Sequence, residues 1–93
     1  MTTTHDGAAL VARAATDLLT PSATDRLQQA VGTHNDGRVR RHLLRAAAAR
    51  EAAAEIEDDP DKAQRLLDAW AGHLHRALDE SWPVGHPAYR RHD

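Results

Sequence analysis

Apolar residues recur at helical spacing from about residue 6 to residue 82 of this 93-residue chain. Leu10, Ala14 and Leu18 stand four apart, with Val11 and Ala15 beside them, and so form one stripe of a helix over Asp6 to Leu19. Asp6 is the expected N-cap. Thr20-Pro21 ends this helix, because a proline disfavours helical geometry in the residue before it. A short second helix is predicted from Ser22 to Val31, capped by Ser22 with Asp25 three residues on. Its buried face is Ala23, Leu27, Ala30 and Val31.

The stretch Gly32 to Gly37 reads as a loop, since Asn and Asp bond their own backbone and Gly accepts positive φ. Gly32 suits a left-handed C-cap, and Asn35 or Asp36 caps the next helix. That third helix is predicted from Gly37 to Glu57. Val39, Leu43, Ala46 and Ala53 share one face, while Leu44 and Ile56 point elsewhere. Alanines on every side allow close approach from several directions, as in the centre of a bundle or a dimer. The fourth helix has the clearest pattern. Asp59 caps it, Pro60 takes the first helical position, and Asp61 suits the positive end. Ala63, Leu66, Leu67, Trp70, Leu74, Ala77, Leu78 and Ser81 fall in a stripe about 120° wide at about 100° per residue. Trp70 and Leu74 centre it. Pro83 stops the helix, and residues 83–93 carry no periodic pattern.

The expected fold is all-α: a small antiparallel bundle of three longer helices and one short one. Residues 1–82 form the domain and 83–93 a flexible, irregular tail. Composition makes its core thin. There are nineteen alanines, ten leucines and four valines, no Phe, and only Trp70, Trp82 and Tyr89 as aromatics. Alanine favours helix but buries little area. Oligomerisation is the usual remedy for a small core without disulfides or metal. The absence of cysteine removes disulfides, thiolate nucleophiles and Cys-based metal sites. The N-terminus lacks the basic-then-apolar order of a secretory signal, and no apolar run has the ~18–20 residues that span a bilayer. A cytoplasmic protein is expected. A single lysine among many Ala, Arg and Asp is usual in proteins of GC-rich, bacterial-like genomes.

Charge changes the picture in the third helix, which is charged backwards. It opens with Arg38, Arg40, Arg41, His42 and Arg45 and closes with Glu51, Glu55, Glu57, Asp58 and Asp59. Unpaired N–H groups make a helix start positive and unpaired carbonyls make its end negative, so each such charge costs about 0.3–1 kcal/mol. Something outside the helix is expected to offset that sum. A second copy packed antiparallel does so, with Arg38, Arg41 and Arg45 beside the partner's Glu51 and Glu55 and with Leu44 and Ile56 adding apolar contact. In the tail, Tyr89 and Arg90 are the residue types favoured as binding anchors.

Other chemistry is weakly supported. Arg38, Arg40, Arg41 and Arg45 suit phosphates, and a DNA-binding regulator is the alternative reading. However, the six-residue connection exceeds a helix-turn-helix turn, and the acidic half repels a duplex. A metal- or cofactor-binding bundle would rest on His75 and Asp79, four apart, but two ligands do not make a site. His73 and His75 lie about 200° apart on a helix and cannot share a metal. The acidic cluster lacks EF-hand spacing. Ser22 and Ser81 are explained as a cap and a small buried residue, and the paired carboxylates lack an apolar setting to raise a pKa. The reading is a non-catalytic interaction or regulatory module, without cofactor, that binds itself or a larger protein.

Overall fold

The computed structural model describes residues 3–15, 19–31 and 36–92. Within them the chain is all-helical, with four helices and no strand. These are α1 (Thr3–Ala15), α2 (Pro21–Val31), α3 (Asp36–Ala54) and α4 (Pro60–Glu80). The radius of gyration, 13.4 Å, is near the roughly 12 Å of a compact chain this long.

Several boundaries differ from expectation. The first helix starts at Thr3, so Asp6 lies inside it rather than capping it. Leu18 falls outside the described residues, as do Gly32 and Asn35. The second helix is capped by Thr20 and not Ser22: Thr20 Oγ1 accepts the Ala23 N–H at 3.2 Å, and its carbonyl accepts that of Thr24 at 3.0 Å. Pro21 then occupies the first helical position, where its missing N–H costs nothing. This is the arrangement that Asp59 and Pro60 make at α4, where Asp59 Oδ1 accepts the Lys62 N–H at 3.0 Å.

The third helix ends at Ala54 rather than Glu57. Glu55 and Ile56 donate their N–H groups to Ala52 and Ala53, three residues back, which tightens and closes the last turn. Glu57 and Asp58 therefore lie in the connection. Together with Asp59 and Asp61 they precede or open α4, where negative charge is favourable. The backward charge of α3 is thus shorter than its sequence suggests.

One apolar cluster joins all four helices: Leu10, Val11, Ala14 and Ala15; Leu27, Ala30 and Val31; Val39, Leu43, Ala46 and Ala47; Trp70, Leu74 and Ala77. Each set repeats at three- and four-residue spacing, as the sequence pattern requires. The third helix touches every other helix and shares its largest interface with α4. Trp70 is anchored at its edge and on a face: its indole N–H donates to the Ala14 carbonyl, and Arg50 lies 4.5 Å over the ring. No helix among the described residues is long and apolar enough to cross a membrane.

Candidate interaction site on the third helix

At one end of the core a polar junction replaces apolar packing. Val39, His42, Leu43 and Ala46 stand at the i, i+3, i+4, i+7 positions of α3, so His42 is carried into the buried face. There it meets Glu80, the last residue of α4, which is only 1% exposed. His42 Nε2 lies 2.8 Å from Glu80 Oε2, and a carboxylate partner requires that nitrogen to carry the proton. Arg38 donates from Nε to Oε1, and from Nη2 to Oε2 at 3.3 Å.

The end of the chain closes the junction. From Pro83 to His92 it forms neither helix nor strand, yet it lies back along α4. Gly85, at φ 97°, makes the turn that returns it. Trp82 stacks on His86 at 4.2 Å, and Arg26 of α2 lies 3.8 Å over Trp82 while donating to Ser81 Oγ at 2.7 Å. Arg90 gives its N–H to the Asp79 carbonyl at 3.1 Å. The His92 N–H donates to Glu80 Oε2 at 3.0 Å, and the His92 carbonyl accepts from Arg38 Nη2 at 2.6 Å.

Burial by itself would raise the Glu80 carboxyl. Hydrogen bonds from Arg38, His42 and the His92 N–H, with the Arg38 charge, outweigh it and hold the group down at about 2. Arg38 at the positive start of α3 and Glu80 at the negative end of α4 are each misplaced on their own helix. Side by side, each offsets the other. Part of the backward charge is therefore matched within the chain. Glu51 is a second case, paired with Arg13 of α1 at 2.6 Å, although both side chains are more than half exposed.

The remaining expected partner-binding residues are placed as follows. Arg41, Arg45 and Glu55 are exposed and make no hydrogen bond or ion pair through their side chains with the described residues. Leu44 is 52% exposed and, with Val84, is one of the two large apolar side chains left in solvent among the described residues. Ile56 is half-buried beyond the end of α3. Tyr89 is half-buried and Arg90 exposed, with its guanidinium on the carbonyls of Pro87 and Tyr89. Arg40 lies about 100° around the helix from Arg41, so the four arginines do not form one row. His75 and His92 both approach Asp79 Oδ2, at 3.7 and 2.8 Å, but no group of three potential ligands among the described residues could hold a metal ion.

Two surfaces result. The first is the outer arc of α3 with the turn that closes it, where Arg41, Leu44, Arg45, Ala48, Glu51, Ala52 and Glu55 are all exposed. They span about 120° with Ala48 at the centre. The second is an open cleft of about 190 Å³ on the flank of α3, lined by Arg38, Arg41, His42, Arg45 and His92. Beside it, His73 is held below its usual range by partial burial first and then by the charges of Arg76, Arg45 and His42.

The sequence reading did not single out Glu80 or His92, and it counted His42 only as a basic residue. The signal for His42 was present in its spacing to Val39, Leu43 and Ala46. Glu80 stands about 80° from Trp70 on the wheel, at the edge of the stripe, where a charged residue reads as surface. No protein-family model matches the chain, and no curated protein or solved structure matches it either.

Proposed function

We propose that this chain is a non-catalytic interaction or regulatory module, an antiparallel helical bundle that pairs with a second copy of itself through the outer arc of α3. The antiparallel arrangement is supported by the short connection between α3 and α4 and by Arg38 lying against Glu80. One observation carries the self-association. The arc is its own complement about Ala48. In an antiparallel pair with the two-fold axis at Ala48, Arg41 comes level with Glu55, Leu44 with Ala52, and Arg45 with Glu51 along the seam. Each contact occurs twice. Ala48 meets Ala48 on the axis, where a small side chain lets the backbones approach.

The charges set orientation more than affinity, since exposed pairs contribute about 0–1 kcal/mol each. Affinity comes from burying Leu44 and the alanines, so the dimer is weak. The Arg13–Glu51 pair is exposed and yields or shares its carboxylate at little cost.

Sedimentation equilibrium tests the reading. A reversible dimer is expected in the micromolar range. Arg41→Glu with Arg45→Glu should weaken it, and adding Glu51→Arg and Glu55→Arg to the same chain should largely restore it. A chain that stays monomeric up to millimolar concentration defeats the proposal, as does weakening without restoration.

A further inference from the structure

The cleft on the flank of α3 shares Arg41 and Arg45 with the outer arc and adds Arg38, His42 and His92, which the pairing of two chains leaves aside. Three arginines and two histidines line it, and among the described residues no carboxylate does. Glu80, beneath, takes Arg38 and His42. Arg41 and Arg45 face solvent without a partner among the described residues. They leave two positive charges one helical turn apart. The His92 main chain, tied to Arg38 and Glu80, closes one side.

A second observation points the same way. His42 lines the cleft with a side chain only 7% exposed, and its Nδ1 is a buried polar atom without a hydrogen-bond partner. Buried polar groups are normally satisfied, and an orphan in a native fold calls for an explanation such as a missing ion. Because Nε2 is the donor to Glu80, the Nδ1 of His42 is an acceptor in the neutral ring and donates to an anion once the ring carries a second proton.

We propose that this cleft binds a phosphate monoester dianion. Two unpaired guanidinium groups match two negative charges, and their forked donors suit the oxygens of a phosphate better than a single carboxylate does. A monoester, with its second pKa about 6, carries both charges near neutral pH. The dianion sits between Arg41 and Arg45, against the ring edges of His42 and His92. The site needs one chain only, so it stands or falls separately from self-association. Because Arg41 and Arg45 also belong to the outer arc, a bound dianion competes with Glu55 and Glu51 of a second copy.

The test is a titration of the full chain, dilute enough to be monomeric, at pH near 7.5 and fixed ionic strength. The probes are inorganic phosphate, glucose 6-phosphate and a phosphoserine peptide, with acetate as control. Isothermal calorimetry reads affinity, and carbon–proton correlation spectra read the histidine rings. Saturable phosphate binding is expected, with the rings of His42 and His92 shifting and that of His86 still. Arg41→Ala with Arg45→Ala, both at exposed positions outside the core, should weaken it at least about tenfold, and Lys at both positions should recover part. Tighter binding of the sugar phosphate or of the peptide identifies a small metabolite or a modified side chain as the source, and either result supports the site. Shifts that acetate reproduces, or an affinity unchanged in the double Ala variant, overturn the proposal.

Discussion

Two regions of the α3–α4 interface hold the same pair of helices together by different means. Near its middle, Trp70, Leu74, Ala46 and Ala47 pack as an apolar layer. At the start of α3, Glu80, His42 and Arg38 do so with charge and hydrogen bonds, and the main chain of His92 completes the set. The apolar layer is non-directional, is insensitive to pH, and is degraded gradually by lost volume. The polar junction is directional, and its value depends on one carboxyl staying ionised. Removing one member leaves the others buried or half-buried without a counter-charge. A core this rich in alanine has little apolar area to spare, so a polar clasp at its edge matters more than it would in a larger domain.

The largest effect is expected in the apolar layer. Leu74 is 3% exposed, and Leu74→Ala should cost about 2–5 kcal/mol at any pH between 3 and 8. In a domain of about 5–10 kcal/mol total stability, the melting temperature should fall markedly, as thermal denaturation by circular dichroism will read. An unchanged melting temperature would mean that the layer does not hold the helices.

The junction should behave differently. The Glu80 carboxyl titrates at about 2 in the folded chain against 4.5 ordinarily. The folded state therefore binds fewer protons than the unfolded state across that range. Its contribution is complete above about pH 4.5 and is lost as pH falls towards 2, about 2–3 kcal/mol in all. Glu80→Gln should remove a similar amount at pH 7 and flatten the acid limb of the stability profile, measured by urea denaturation at several pH values. An acid limb as steep in the variant as in the parent would show that other carboxyls carry it.

Gly85 is the hinge of that junction. An alanine forced to φ 97° should cost about 1–2 kcal/mol, concentrated in the returning segment. Amide exchange should then quicken at Arg90 and His92 while the Leu74 region keeps its protection. Gly72 supplies the opposite case, and the smallest effect. A Cβ there would meet only Arg76 Nη1 at 3.6 Å, ordinary contact, so Gly72→Ala should stabilise α4 by about 1 kcal/mol. A loss instead would mean that this surface is covered by another chain.

Local patterns by themselves determined that the chain is helical, roughly where its four helices lie, and most of the residues that make the apolar layer. Helical periodicity selects Leu27, Leu43, Trp70 and Leu74 whatever they pack against, because burial follows from the face alone. Caps are partly legible: Asp59-Pro60 carries its own signature, whereas in the equivalent Thr20-Pro21 the proline reads first as a stop to the helix before it. The reversed charge of α3 was visible too, as was the need for something outside the helix to offset it. What offsets Arg38 and Glu51 was decided by tertiary structure. Glu80 lies 42 positions from Arg38, and Arg13 lies 38 from Glu51. A charge carries no periodicity that names its partner at such separations. The return of residues 83–92 was likewise invisible, since it depends on one glycine and on main-chain groups that every sequence has. Apolar burial is a property of a face and can be read from one segment. An ion pair or a main-chain clasp is a property of two segments, and it exists only once the core has brought them together.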